Sequence, residues 1–377
     1  MKTRAALLRA SPVAAPFAVS RPLAIAEVDL AAPGPGEVLV KVHAAGLCHS
    51  DLSVIDGNRP RPVPMVLGHE AAGEVLEPGP GVTDLKPGDR VVMVFVPSCG
   101  HCAPCSEGRP ALCEPGNAAN GRGEMLAGGF RLSVDGKPVH HHIGVSAFAE
   151  HAVLSRHSLV KIDAEIPHEI AALFGCAVLT GVGAVVNTAR VRAGETAAVV
   201  GLGGVGLSAL LGAVACGASR VVAVDLSDDK LAMARELGAT DTFNAGNPDV
   251  VEAIRAATKG GVDHGLEMAG SVKALDLSYQ ITKRGGTTTT AGLANPVHSL
   301  SLAPVRLVAE ERTLKGSYVG SCIPMRDIPR FIELYQRGKL PVDRLWTSTS
   351  GLDGINEGFD ALNEGRTIRH IIQMTAG

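Results

Sequence analysis

The run Ala197-Ala198-Val199-Val200-Gly201-Leu202-Gly203-Gly204-Val205-Gly206 decides the architecture of the second half of this chain. Four apolar residues lead directly into G-x-G-x-x-G, and Leu207, Leu210, Leu211 and Val214 then recur at helical spacing. Strand, glycine loop and helix together are the context in which such glycines bind a dinucleotide. Gly201 permits the tight turn and Gly203 lets the backbone approach a pyrophosphate. Gly206 lets the helix sit close to the sheet, and the helix N-terminus at Gly204 and Val205 faces the phosphates. The next strand ends in Asp225. A carboxylate there accepts hydrogen bonds from both adenosine ribose hydroxyls and repels a 2′-phosphate, so NAD is the expected cofactor rather than NADP. Lys230, shortly beyond, joins the candidate cofactor residues.

Outward from this loop the texture is strand, helix, strand. Apolar runs near Ala197–Val200, Val221–Val224, Val262–Leu266, Gly286–Ala291 and Thr313–Ser317 are separated by helical stretches, which predicts a parallel, doubly wound sheet. Towards the N-terminus, from Glu37 to Lys161, short alternating runs such as Val38, Val40 and Val42 are broken by Pro33-Gly34, Pro78-Gly79 and Pro87-Gly88. That pattern predicts irregular antiparallel β structure. The tail from Ile328 carries a helix, a turn at Gly338 to Pro341 and a last apolar strand at Ile368–Met374 that is expected to return to the first domain. The division expected is 1–178, 179–320 and 321–377.

The 377 residues suit two domains of about 100–200 residues each. A formal net charge of −3 and a charged fraction of 19% argue against a nucleic-acid surface. No stretch offers about 18 uninterrupted apolar residues, and the start at Met1–Ala10 lacks the apolar core of a secretory signal. A cytoplasmic protein without membrane or nucleic-acid partners is expected, with its eight cysteines reduced.

Cys99, Cys102, Cys105 and Cys113 form C-x2-C-x2-C-x7-C, compact enough for four thiolates to close a tetrahedron around zinc and leave no position for a substrate. This is a structural metal site. Cys48, His69 and Cys176 are scattered, and spacing alone does not assemble them: a single buried Cys is usually a small hydrophobe, and a lone His is usually a core residue.

The order of the segments around Cys48, His69 and Cys176, the four-cysteine loop and Gly201–Gly206 resembles the zinc-containing alcohol dehydrogenases of the medium-chain dehydrogenase/reductase family. The likeness covers essentially the whole chain. Gly136-Lys137-Pro138-Val139-His140-His141, Val186-Asn187-Thr188-Ala189 and Gly365-Arg366-Thr367-Ile368-Arg369 are similar to the animal-type and glutathione-linked branches. The resemblance implies a GroES-like catalytic domain beside the Rossmann domain, two zinc ions per chain, and reversible oxidation of primary or secondary alcohols with hydride transfer to NAD. It implies that Cys48, His69 and Cys176 bind a catalytic zinc with a fourth position open, a known ligand set. Ser50 then stands as the proton-relay hydroxyl, Asp51 as the carboxylate orienting His69, and Glu70 as an aid to ligand exchange. His49 and Arg369 approach the cofactor phosphates, Thr180 contacts the nicotinamide, and Phe95, Leu112, Ala118, His142 and Ile143 surround the alcohol.

The chain also departs from the pattern. Ser53 replaces the histidine that hands the relayed proton to solvent in animal-type relatives, and His142 and Ala118 replace an aromatic and a larger apolar residue. His142 is expected either to line a more polar pocket or to join His140 and His141 in a solvated loop. Asn117 stands where thiol-dependent formaldehyde dehydrogenases carry an arginine, which makes that activity the second reading. A non-catalytic NAD-binding protein is the reading from another class. Relatives imply a homodimer or homotetramer.

Overall fold

The structure is a computed structural model describing residues 1–95, 97–163 and 165–374. The last three residues of the expected returning segment 321–377 therefore lie outside the described residues. One compact unit gathers Met1–Cys176 with Ile323–Ile332 and Asp343–Gly377; the other gathers Ala177–Cys322 with Glu333–Val342.

In the first unit, alternation of apolar residues produces strands with one face inward. Lys2–Leu8, Leu23–Leu30, Leu132–Val134, Lys137–His141 and Met65–Val66 close into a small barrel. Ala5, Leu7, Val28, Leu30, Val66, Leu132 and Val139 fill it. Closure leaves no open edge, so the short strands need no outside partner. The larger sheet runs in the order Leu159–Lys161, Arg90–Met93, Glu70–Pro78, Glu37–Gly46, Arg369–Gln373, Trp346–Gly351, and His151–Ser155 also pairs with Glu37–Gly46. The C-terminal strand thus lies antiparallel to Glu37–Gly46, with Ile371 opposite Gly46.

In the second unit six parallel strands run in the order Asp241–Asn244, Arg220–Asp225, Thr196–Val200, Val262–Glu267, Thr282–Thr290, Thr313–Gly316. Chain order reverses on either side of Thr196–Val200, and at such a reversal the crevice beyond the strand ends accepts a ligand. The glycine loop leaves this strand, and the helix Gly204–Ala215 follows at once. Ala198, Val200, Val222, Val224, Ile254, Val262 and Ile281 form the core beneath it.

Four strands go beyond the sequence expectations. Lys2–Leu8 and Leu23–Leu30 precede the region assigned to antiparallel structure, Asp241–Asn244 is an edge strand with every residue only partly buried, and Trp346–Gly351 is rich in Ser and Thr. No helix among the described residues is long and apolar enough to cross a membrane.

Candidate active site

The central strand Glu37–Gly46 delivers the chain to Cys48, whose extended backbone (φ −128°, ψ 149°) starts the helix His49–Ile55. The helix turns Asp51 wholly inward, leaves Ser50 half-buried and exposes His49. Ser53 donates to the backbone carbonyl of His49 at 2.8 Å. His69 lies between Met65–Val66 and Glu70–Pro78, just after Gly68. Gly68 has φ +93°, and a Cβ there would sit 2.5 Å from the Phe148 backbone nitrogen, so glycine is required for this close passage. Cys176 follows the helix His168–Leu173.

These three residues, remote in sequence, converge. Cys48 Sγ lies 4.0 Å from Cys176 Sγ, and Cys176 Sγ lies 3.5 Å from His69 Nε2. A tetrahedral zinc with bonds of about 2.3 Å to sulfur and about 2.0 Å to nitrogen separates two sulfurs by about 3.8 Å and sulfur from nitrogen by about 3.5 Å. The trio therefore fits zinc with one position left over. All three are buried, and the Cys48 thiol is held well below its ordinary pKa by the Cys176 sulfur and by His69.

Behind the trio, Asp51 Oδ1 accepts from the Gly68 backbone N–H at 3.0 Å and faces His69 Nδ1 at 3.1 Å. Burial pushes its carboxyl up, but His69 and His142 outweigh burial and hold it down at about 2, so Asp51 is a carboxylate. This fixes the proton of His69 on Nδ1 and aims Nε2 at the sulfurs. Glu70 lies 3.8 Å from Arg369, which donates to the Leu47 carbonyl at 3.1 Å; both are buried. The Phe95 ring meets His69 edge-on at 5.1 Å.

Of the expected pocket residues, Phe95, His142 and Ile143 are buried in this unit, while Leu112 and Ala118 are exposed on the cysteine-bearing lobe. His142 and His141 are buried and His140 half-buried, so the solvated three-histidine loop does not form.

The four sulfurs of Cys99, Cys102, Cys105 and Cys113 lie within 4.8 Å of one another. Backbone N–H groups of Cys99 and Gly116 donate to Cys113 Sγ at 3.2 and 3.3 Å, and that of Cys102 to Cys99 Sγ at 3.3 Å. Backbone donors bring Cys99 down to about 7, whereas burial and the neighbouring sulfurs push Cys105 up to about 12. Four such sulfurs cannot all ionise unaided; a dication resolves the conflict.

In the second unit Asp225 Oδ2 accepts from the Leu202 backbone N–H at 2.6 Å and Oδ1 from that of Ser227 at 3.0 Å, tying the acidic strand end to the glycine loop. Among the described residues, a Cβ on Gly203 would meet no atom within 4 Å beyond those of its own chain neighbours, so the loop has open space there. Lys230 is half-buried in the helix Asp228–Glu236, and Thr180 is buried in the helix Ala177–Gly183.

Residues 34–164 match the alcohol dehydrogenase GroES-like domain and residues 204–337 the zinc-binding dehydrogenase domain. S-(hydroxymethyl)glutathione dehydrogenase of Escherichia coli O1:K1 is 39% identical, over 99% of this chain and all of its own length. The chain belongs to the zinc-containing alcohol dehydrogenases of the medium-chain dehydrogenase/reductase family. Among solved structures, an alcohol dehydrogenase zinc-binding domain protein from Burkholderia ambifaria superposes on this dehydrogenase with a TM-score of 0.94 at 36% identity. Benzyl alcohol dehydrogenase from Acinetobacter calcoaceticus does so with 0.93 at 34%; each covers all of both chains. The dehydrogenase is thus an oxidoreductase of GroES-like and Rossmann parts. His142, which sequence reading left between the alcohol pocket and a solvated loop, instead lies against Asp51 and His69.

Proposed function

We propose that this dehydrogenase oxidises apolar primary alcohols, reversibly and without a thiol partner, passing hydride to NAD. The observation that carries the reading is the buried Phe95 ring standing edge-on to His69: an apolar face beside a metal ligand. Likeness to a benzyl alcohol dehydrogenase adds support. Asn117 in place of an arginine removes a cation that a glutathione adduct would use.

In this reading Cys48, His69 and Cys176 hold zinc, and Cys99, Cys102, Cys105 and Cys113 hold a second ion that ties down their lobe. When bound, the catalytic zinc supplies Lewis acidity that lowers the pKa of the alcohol. Ser50 takes the alcohol proton through its hydroxyl, and Asp51 keeps His69 in the correct tautomer. Glu70 assists ligand exchange from its place beside Arg369, which with His49 serves the cofactor phosphates. Gly201, Gly203, Gly204, Val205 and Gly206 cradle the pyrophosphate, Asp225 takes the ribose hydroxyls, Lys230 lies beside them, and Thr180 meets the nicotinamide. Leu112 and Ala118 complete the alcohol's surroundings with Phe95 and Ile143. The functional division is 1–178 and 321–377 for zinc chemistry and 179–320 for the nucleotide.

The 39% identity to S-(hydroxymethyl)glutathione dehydrogenase favours the thiol-dependent second reading. The deciding assay follows NAD reduction with benzyl alcohol and short alcohols, then with formaldehyde with and without glutathione. Benzyl alcohol should give a kcat/KM at least ~10-fold above formaldehyde plus glutathione, a margin of about 1.4 kcal/mol in transition-state binding. Oxidation that appears only when glutathione is added overturns the proposal. Two zinc ions per chain with no turnover anywhere on the panel would instead mark a non-catalytic binder.

Asp225→Asn should weaken NAD binding about tenfold to a hundredfold and narrow the preference over NADP, because a charged acceptor worth roughly 1.5–3 kcal/mol becomes neutral. Titration of nicotinamide fluorescence with both reduced cofactors checks this. We also propose a cytoplasmic setting and a homodimer or homotetramer. The edge strand Thr313–Gly316 and the exposed Val297, Val305 and Val308 support association through the nucleotide unit.

A further inference from the structure

His142 is a buried polar residue, and its surroundings explain what it does there. Its backbone N–H donates to Ser146 Oγ at 2.9 Å, and the Val145 N–H returns to its carbonyl at 3.0 Å, so a closed turn holds it at the end of the strand Lys137–His141. The side chain is 3% exposed, and its Nδ1 lies 3.0 Å from Asp51 Oδ1, the oxygen that also faces His69 Nδ1. The two imidazoles stand nearly perpendicular, with centroids 5.4 Å apart.

His142 Nδ1 and Asp51 Oδ2 are both buried, and neither has an aligned hydrogen bond among the described residues. Each orphan would cost about 1–3 kcal/mol if left unmade. They belong to adjacent groups, and a small rotation of the carboxylate satisfies both: Oδ1 keeps Gly68 and His69, and Oδ2 takes the proton on His142 Nδ1. A metal ion at this cluster is the competing reading, since Asp51, His69 and His142 each offer a donor. Separations of 3.0 and 3.1 Å match shared protons. Tetrahedral ligands about 2.0 Å from an ion would stand about 3.3 Å apart.

We infer that His142 is a positioning residue for zinc, closing a buried imidazole–carboxylate–imidazole chain that holds Asp51 and, through it, the metal ligand His69. The inference rests on the assignment of Cys48, His69 and Cys176 to a zinc ion. It shifts His142 from a wall of the alcohol pocket to the support behind the metal. Partners of this kind alter metal retention by roughly tenfold to a hundredfold when removed.

The test compares wild type, His142→Phe, which keeps a ring but loses the N–H, and His142→Asn, whose amide N–H reaches the same carboxylate. Zinc release to a colorimetric chelator is followed in time, and Cys102→Ser identifies which phase belongs to the tetrathiolate ion. His142→Phe should speed loss of the other ion at least ~10-fold while leaving the tetrathiolate phase unchanged, and His142→Asn should restore most of the difference. After cobalt substitution, the visible bands should shift in His142→Phe and return in His142→Asn. Equal acceleration of both phases marks general loosening and overturns the inference, as does an unchanged release rate. A third metal ion in the wild type overturns it in favour of a cation site. A wild type that binds one zinc only defeats the catalytic-zinc assignment itself, a separate failure.

Discussion

His69→Ala is expected to take the dehydrogenase from two zinc ions per chain to one and to lower kcat/KM about 10³- to 10⁴-fold. Without the imidazole, two sulfurs 4.0 Å apart remain, and two thiolates do not close a tetrahedral site. The Lewis acidity lost is worth several kcal/mol of barrier, and about 4–5.5 kcal/mol corresponds to the stated factor. The same change strips Asp51 of the Nδ1–H that His69 presents to it at 3.1 Å. Among the described residues, this fully buried carboxylate is then left with the Gly68 N–H and His142 to face. Breaking a buried pair costs roughly 3–5 kcal/mol when the remaining charge is left alone. His142 keeps the loss below that, so the variant should fold with a lower Tm, and His69→Ala combined with His142→Phe should be disproportionately unstable. Metal analysis, steady-state kinetics and thermal unfolding on one preparation check all three statements. Retention of two ions with near-normal turnover would remove the zinc trio from the mechanism.

How far the sequence spoke depended on whether the interacting residues are close along the chain. Cys99, Cys102, Cys105 and Cys113 occupy one loop, so their spacing alone implies convergence, and the sulfurs do cluster. Thr196–Val200 and the helix after it were legible because burial on both faces of a parallel strand leaves an uninterrupted apolar run. Cys48, His69 and Cys176 were different. Cys176 lies 107 residues from His69, and nothing local in either segment points to the other; only the family likeness joined them. His142 was harder still, because its meaning lies in Asp51, on a helix far upstream, and a histidine in an H-H-H run fits a polar pocket wall or a solvated loop equally well. Two of the strands that went unanticipated share a physical reason. Asp241–Asn244 and Trp346–Gly351 lie at sheet edges or beside solvent, where half-buried polar residues serve as well as valine, so no apolar run announces them. Lys2–Leu8 does alternate at its start, yet its last four residues are all buried inside a barrel, which blurs the period. Leu112 and Ala118 were named by likeness, and their exposure on the cysteine lobe of the first unit could not have been read from residues alone.

Gly206→Val should abolish measurable NAD binding and destabilise the nucleotide unit, whereas Gly203→Ala should weaken binding with little effect on folding. The contrast follows from what a side chain would meet. At Gly206 a Cβ would lie 1.8 Å from the carbonyl oxygen of Gly201 and 2.9 Å from its carbon, both backbone atoms that no rotamer change can clear. Gly201 itself cannot yield easily: its φ is +93°, and its own approach to Ala269 leaves no room for movement in that direction. The first turn of the helix Gly204–Ala215 must therefore lift from the end of the strand, dragging buried Leu207, Leu210 and Leu211 out of register. Overpacking of this kind costs about 1–3 kcal/mol or more, and it displaces the N–H groups of Gly204 and Val205 that would face a phosphate. At Gly203 the backbone is extended, with φ −75°, which any residue adopts, and the added methyl meets only open space. Alanine there should change stability by no more than about 1 kcal/mol, the ordinary cost of a poor helix cap. Its methyl instead occupies the volume through which a pyrophosphate would approach. Zinc content should stay at two in both variants, since all seven thiol and imidazole donors belong to the other unit. Fluorescence titration with NADH and thermal unfolding separate the two effects. Wild-type affinity in Gly203→Ala would mean that the dinucleotide does not cross this loop.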